Sequence, residues 1–451
     1  MFQFIKSNSL ISILLFLVAG GFFAFLQTQQ GFSYFPWEIK NYLIGQKLNQ
    51  GFRLYKDIRD NMGPFATGFY QLLDFLSIPL SSNPYIAFGI ISIQAYIFHQ
   101  TIKQFELMPN MGGMAFGIYL LLFHLTMEFH VPDPALIGLT FLLLAWKEII
   151  QQQRTLLVND RVFLVGIYLA TATLFFPAYF WLLPWAILSL LFYSGISIRQ
   201  ILLTLIGYLI VLTITSIVFS FRGNLPYLWQ VYRNSAFEFQ LISEKKGKEV
   251  LFFYSPAILF SAFGLYKVVG NPKIRAHAQK AQQTTLIWLF FSSIAITNFP
   301  AYYRINFVLL LPPFAYLGLN VFYLIKKYWQ KELVFLALIG AVFFTYQQDE
   351  PIKQKTKKIQ ISGQKLLILG PEIEEYLTNE MVGPFVNWDL AKPLLSNLNS
   401  YKNVIIVQEY FIKDQPIYIY DSEGYFQKIQ QHLPAITQQY VLVSPKLYRK
   451  K

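Results

Sequence analysis

Three polar stretches interrupt an otherwise apolar chain, and each carries residue types suited to group-transfer chemistry. The first reads FSYFPWEIKNYLIGQKLNQGFRLYKDIRDNMGPF. It holds three carboxylates, Glu38, Asp57 and Asp60, among five basic residues, Lys40, Lys47, Arg53, Lys56 and Arg59. A carboxylate can take the proton of an attacking hydroxyl, and a basic group can balance charge on a phosphate leaving group. The 38–49 stretch also reads as an amphipathic helix lying at lipid headgroups, with aromatic anchors at Trp37 and Tyr42. The GxxLYxDxxDNxGP segment after it fits that description poorly. Gly51, Gly63 and Pro64 are turn formers that hold Asp57 and Asp60, three apart, in a compact loop beside Tyr55.

The second stretch, Glu128-Phe129-His130-Val131-Pro132-Asp133-Pro134, sets an acid between prolines at the start of an apolar run. Asp133 there either caps the next helix or stands at the mouth of a cavity, with His130 in support. The third stretch, Phe299-Pro300-Ala301-Tyr302-Tyr303-Arg304-Ile305-Asn306-Phe307, contains the one basic residue between Lys280 and Lys326. An arginine at a span's end can merely snorkel, or, with Tyr303 beside it, clamp a phosphate. There are no cysteines, which excludes disulfides, thiolate nucleophiles and Cys-based metal sites. The five histidines form no HxxxH or HExxH pattern, so no zinc site is expected.

The elements that must position these residues are helices in lipid. Of 451 residues, 55% are hydrophobic and 14% charged, against about a quarter charged in a soluble domain. Apolar runs fall at 9–26, 84–102, 112–128, 134–147, 162–178, 179–193, 200–221, 251–268, 284–299, 305–325 and 333–346. The expected fold is an α-helical polytopic membrane protein with about eleven transmembrane helices. Several runs fall short of the ~20 residues that cross hydrocarbon, which suggests a bundle packed around a cavity. The first run follows Lys6 with no small-residue cleavage site after it, and reads as an uncleaved span.

Segment 66–80, with Asp74 and Pro79, is expected to lie at the interface rather than span. Only then do the loops holding Lys103, Lys147, Arg154, Arg161, Arg199, Lys267, Lys280, Lys326 and Lys331 all face the cytoplasm. The net charge of +13 then reflects topology, and no nucleic-acid partner is expected. Residues 27–83 and 222–250 and the tail become the outer segments, with the basic stretch 353–358 as the one dissenting feature. The domain plan is a transmembrane domain over 1–346, a basic linker over 347–358 and a soluble α/β domain over 359–451. In that last domain short apolar runs (366–369, 404–407, 417–420, 440–443) alternate with helical stretches at 391–398 and 425–433. Its Gly370-Pro371 turn is no phosphate loop.

Taken in order, these sites resemble the GT-C class of membrane glycosyltransferases, which includes protein mannosyltransferases and lipid A aminoarabinose transferases. The matching features are an acid in the first long outer loop (Glu38) and a G-x-x-x-Y-x-D … P segment (Gly51, Tyr55, Asp57, then Pro64). They continue with a second outer acid two spans on (Asp133) and a late Pro- and Tyr-containing span start from Pro300 to Pro313. The resemblance covers most of residues 1–325. It implies a polyprenyl-phosphate-linked sugar donor drawn from membrane lipid, and an acceptor on the outer face of a bacterial inner membrane. The C-terminal domain would then be periplasmic.

By that resemblance Glu38 or Asp57 is the base, Asp133 orients acceptor or metal, and Arg304, Tyr303 and Arg53 hold the donor phosphate. Asp60, Tyr55 and His130 support them, and the need for a divalent cation stays open. One departure matters: many relatives carry a paired Asp-Glu after the first span, and here Pro36-Trp37-Glu38 matches only the Glu. The alternative is therefore a catalytically inactive scaffold subunit of a cell-envelope assembly. A secondary transporter ranks last, because the spans show no internal repeat and few ionisable residues.

Overall fold

The computed structural model describes residues 9–29, 34–109, 111–154, 159–239, 242–268, 274–298, 303–349, 359 and 361–451. The basic stretch 353–358 and residues 300–302 of the late motif lie outside the described residues. The chain begins with helices α1 (Ser9–Gln29), α2 (Pro36–Asn49), α3 (Pro64–Phe75) and α4 (Asn83–Gln104). Next come α5 (Met114–Leu122), α6 (Pro134–Arg154), α7 (Asn159–Phe175), α8 (Leu182–Ser194) and α9 (Ile198–Phe221). Then follow α10 (Leu225–Phe237), α11 (Glu244–Val268), α12 (Ala276–Ile296), α13 (Leu311–Leu324) and α14 (Tyr328–Gln347).

Each apolar run of the sequence centres on one of these helices. Among the described residues seven helices are long and apolar enough to cross a membrane, or eight if Pro64–Phe75 and Leu80–Gln104 count as one broken span. Helices α5 and α7, at 9 and 17 residues, are shorter than the ~20 that cross hydrocarbon. Helix α3, at 12 residues, gives way to a turn in which Ser77 has a φ of +55°, outside the right-handed helical region. Prolines open several of these elements because the first helical N–H needs no partner: Pro36, Pro64, Pro134 and Pro312.

By contact density the chain forms two compact units. One takes in Met1–Phe32, Ser81–Val218 and Gln230–Pro351; the other takes in Ser33–Leu80, Phe219–Trp229 and Ile352–Lys451. In the first unit, α7 and α9 approach until backbone meets backbone. A Cβ on Gly166 would run into the Thr204 carbonyl, and one on Gly207 into the Phe163 carbonyl. Thr204 adds a hydrogen bond from its hydroxyl to Val162 O at 3.2 Å. Small residues at a helix crossing are the usual device where lipid leaves little hydrophobic drive for helix association.

The second unit is built on a five-stranded sheet in the order β2-β1-β3-β5-β4. The strands are β1 (Lys365–Leu369), β2 (Glu380–Met381), β3 (Tyr418–Asp421), β4 (Tyr440–Ser444) and β5 (Leu447–Lys450). β1 pairs in parallel with β2 and β3, while β5 runs antiparallel to β3 and β4. Helices α15 (Trp388–Ser396), α16 (Tyr401–Lys413) and α17 (Tyr425–His432) cover it, with Leu369, Leu395, Val407, Ile419 and Phe426 in the core. Asp421 caps α17 by accepting the backbone N–H groups of Gly424, Tyr425 and Phe426. One expectation is corrected: the run 404–407 is not a strand but lies within α16. Val407 and Phe411, four apart, supply the buried helical stripe there.

A Gly166→Ala variant is expected to lose about 1–3 kcal/mol of stability, because the added methyl must push the α7 and α9 backbones apart. Thermal unfolding in detergent checks this, and an unchanged midpoint would show that the crossing is not tightly packed.

Candidate functional site

Arg304 opens a 3-10 turn, Arg304–Leu310, which leads into α13. It is buried, at 6% exposure, so its charge must be met by protein. Its Nε donates to Glu128 Oε1 at 3.0 Å, and the backbone N–H of Ile305 donates to Glu128 Oε2 at 2.9 Å. Its Nη1 stands 2.6 Å from Asp349 Oδ1, an ion pair outside hydrogen-bond alignment. A third carboxylate, the half-exposed Glu249, lies 3.6 Å from Nε. The guanidinium carbon sits 4.4 Å from the centre of the Phe253 ring, and Tyr254 donates its hydroxyl to the Arg304 carbonyl at 2.9 Å.

Both carboxylates are tied to the turn Met127–His130. Thr126 precedes that turn and accepts the Glu128 N–H at 3.3 Å. Asp349, just past the end of α14, takes the Thr126 hydroxyl at 2.6 Å and the Met127 N–H at 2.7 Å on its Oδ2. The result is one ion-pair network that ties the 126–130 turn, the 304–310 turn and the end of α14.

Asp133 does what a helix cap does: buried before α6, its Oδ1 accepts the Ala135 N–H at 2.7 Å. Tyr179 donates its hydroxyl to the Ala135 carbonyl at 2.7 Å. His130 is buried, its ring 5.0 Å from that of His124 and 5.5 Å from that of Phe23. Tyr303 is half-buried, and its extended backbone delivers the chain into the Arg304 turn.

The remaining expected residues belong to the other unit. Glu38 is buried on the first turn of α2, where Oε2 accepts the Phe35 N–H at 3.1 Å as half of a capping box. The loop after α2 is compact, with Gly51 at φ +88° and Tyr55 at φ +66°. The buried Tyr55 donates its hydroxyl to Met62 O at 2.6 Å. Asp60 takes Lys40 Nζ at 2.9 Å and Asn387 Nδ2 at 2.8 Å. Asp57 takes the backbone N–H of Arg53 at 2.8 Å, its Nε at 3.1 Å, and Lys413 Nζ at 2.6 Å. Lys47 pairs with Asp414 at 3.1 Å, and Tyr410 donates to Lys56 O at 3.0 Å. Helix α16 thus grips the loop that holds Asp57.

Burial works against the charge on Asp57, but the hydrogen bonds from Arg53 and Lys413 outweigh it and hold the carboxyl below the ordinary aspartate value. Among the described residues no group of three or more His, Asp or Glu side chains could hold a metal ion.

The structure therefore joins Arg53 to Asp57, and joins Arg304 to two acids that were not among the expected site residues, Glu128 and Asp349. Lys413 was missed as well. A signal for the first two was present: a lone arginine at the start of a span needs a carboxylate, and both acids end apolar runs. Nothing in the sequence pairs Lys413 with Asp57, since 356 positions separate them (413 − 57).

No protein-family model matches the chain, and no curated protein matches it. Among solved structures it is similar to the crystal structure of ArnT from Cupriavidus metallidurans bound to undecaprenyl phosphate. The TM-score is 0.59 at 11% sequence identity, over 97% of each chain. The chain thus has the GT-C-like fold that the order of its motifs suggested, and it is an integral membrane protein.

Two outcomes follow from the ion pairs. Glu128→Gln removes one partner of a buried pair and should cost about 3–5 kcal/mol, read as a lowered unfolding midpoint. For Asp57 the folded carboxyl lies below its unfolded value of about 4, so its contribution is complete above that pH and is lost as pH falls through the folded value. Protection from hydrogen exchange over 51–63, taken relative to the intrinsic rate at each pH, should therefore stay high at about pH 6 and fall below about pH 4. Lys413→Ala should shift that onset upward; an onset that does not move would remove Lys413 from the account.

Proposed function

We propose that this membrane protein moves a sugar from a polyprenyl-phosphate donor to an acceptor on the outer face of a bacterial inner membrane. The observation that carries the reading is a fold shared end to end with a protein whose structure holds undecaprenyl phosphate. Fold alone does not carry function, so the residues have to supply the chemistry. Arg304 is a buried cation at the start of a span with Tyr303 next to it, the group that would meet a lipid phosphate once a carboxylate gives way.

In this reading Glu38 takes the proton of the acceptor hydroxyl as that oxygen attacks the anomeric carbon. The bond from that carbon to the phosphate oxygen breaks, its electron pair stays with the phosphate, and Arg304 balances the charge of the departing polyprenyl phosphate. Asp57 is the weaker candidate for base, because two cations keep it ionised and lower its basicity. It serves better in ordering the loop, with Arg53 as its partner, while Asp133 orients the acceptor and Asp60, Tyr55 and His130 hold the frame. The 359–451 domain is read as periplasmic.

A second reading is favoured by one observation: Arg304 already has two carboxylates against it, as expected of a fold retained without its chemistry. On that reading the chain is an inactive scaffold subunit of an envelope assembly.

Purified protein in lipid, supplied with polyprenyl-phosphate sugars, separates the two. Transfer or donor hydrolysis is expected, falling roughly 100- to 10,000-fold in Glu38→Gln, the usual contribution of a general base. No turnover with any such donor, with or without added divalent cation, would reject the enzyme and leave the scaffold.

A further inference from the structure

We infer that Asp349 is the carboxylate an incoming phosphate displaces from Arg304, so that the end of the last long helix competes with the donor for this cation. The inference rests on the reading of Arg304 as the phosphate-binding group. It starts from a charge imbalance, because Glu128, Asp349 and Glu249 stand within 3.0, 2.6 and 3.6 Å of a single guanidinium. A phosphate adds further negative charge, so it can approach only if a carboxylate moves away.

The three acids are not equally able to move. Glu128 commits both oxygens to the 304–305 segment, one to Arg304 Nε and one to the Ile305 N–H, both aligned. Releasing it would strand a buried backbone N–H as well as a charge. Glu249 is 47% exposed, more distant, and screened by solvent. Asp349 keeps Oδ2 on Thr126 and Met127, and touches Arg304 only through Oδ1, out of alignment. Its Oδ1 can therefore leave by a pivot of the carboxylate about the anchored Oδ2, a motion that carries the end of α14 with it.

Position supports the same choice. Asp349 lies beyond the last helical residue of α14, held there by one i→i−3 bond from its N–H to Tyr346 O at 3.1 Å rather than by the continuous ladder of a helix interior. Arg304 is the less movable partner, since it is stacked on Phe253 and its carbonyl is held by Tyr254. Phosphate binding and the conformation of the α14 end then become two sides of one equilibrium, each shifting the other by the same factor.

The test uses the full chain in detergent or nanodiscs with undecaprenyl phosphate as probe. Asp349→Asn is expected to bind it about tenfold more tightly than the wild type, equivalent to about 1.4 kcal/mol, and Arg304→Gln to lose binding. Inorganic phosphate should show the same gain at higher concentration, whereas undecaprenol, which lacks the anion, should show none. In the wild type, hydrogen exchange over 344–349 should rise when undecaprenyl phosphate is added, a readout that needs no variant to fold. An unchanged or weaker affinity in Asp349→Asn, an equal gain for undecaprenol, or unaltered exchange would overturn the inference, while loss of binding in Arg304→Gln would leave the phosphate reading intact. Wild-type affinity in Arg304→Gln would overturn both.

Discussion

A guanidinium enclosed by protein at the start of a hydrophobic helix is costly unless carboxylates meet it, because removing charge from water costs several kcal/mol per ion. Arg304 is such a group, and most of the architecture near it can be read as the answer to that cost. The 126–130 turn presents Glu128, the end of α14 presents Asp349, and α11 brings Phe253 and Tyr254. Four segments far apart in sequence are brought to one point by a single cation. Their geometry is specific because each acid also accepts a backbone N–H or a hydroxyl.

The first long loop solves a related problem with the signs reversed. Asp57 and Asp60 are buried acids, and each is met by a lysine as well as by neutral donors. Two of those partners, Lys413 and Asn387, come from the C-terminal segment, so loop and sheet fold as one unit rather than as a loop with an appended domain. The same unit explains why Lys47, at 4% side-chain exposure, is tolerated: Asp414 pairs with it and the Phe52 ring lies 4.6 Å away.

What the sequence made legible was whatever local physics decides. Long apolar runs became helices, prolines marked their starts, and the runs at 366–369, 417–420 and 440–443 fell on β1, β3 and β4. The 404–407 run looked like a strand because four apolar residues in a row do not reveal their period. Only the later Phe411, four positions from Val407, shows it to be helical. The order of Glu38, Asp57, Asp133 and the late proline-rich span start was enough to point to the fold, even though identity to the similar solved structure is 11%. For the partners of Arg304 the sequence signalled only that some carboxylate was needed, not which one. Glu128 and Asp349 stand 176 and 45 positions from Arg304 (304 − 128 and 349 − 304), and charge pairing at that range leaves no periodic trace.

That difference bears on how far the fold can carry the chemistry. Packing of apolar helices survives extensive substitution, since volume and pattern suffice, so a shared fold over full length coexists with almost no shared sequence. A phosphate site does not survive so freely, because it depends on the balance of a few charges. Here that balance is negative around Arg304, and its excess lies in a carboxylate anchored by two hydrogen bonds that do not involve the arginine. A residual fold that had lost its ligand would be expected to neutralise the arginine with the most rigid partner available. Glu128 already does that, with both oxygens aligned. The second acid, Asp349, neutralises the arginine as well, but it is anchored independently through Oδ2, so on the phosphate reading its Oδ1 contact is the one a ligand would replace.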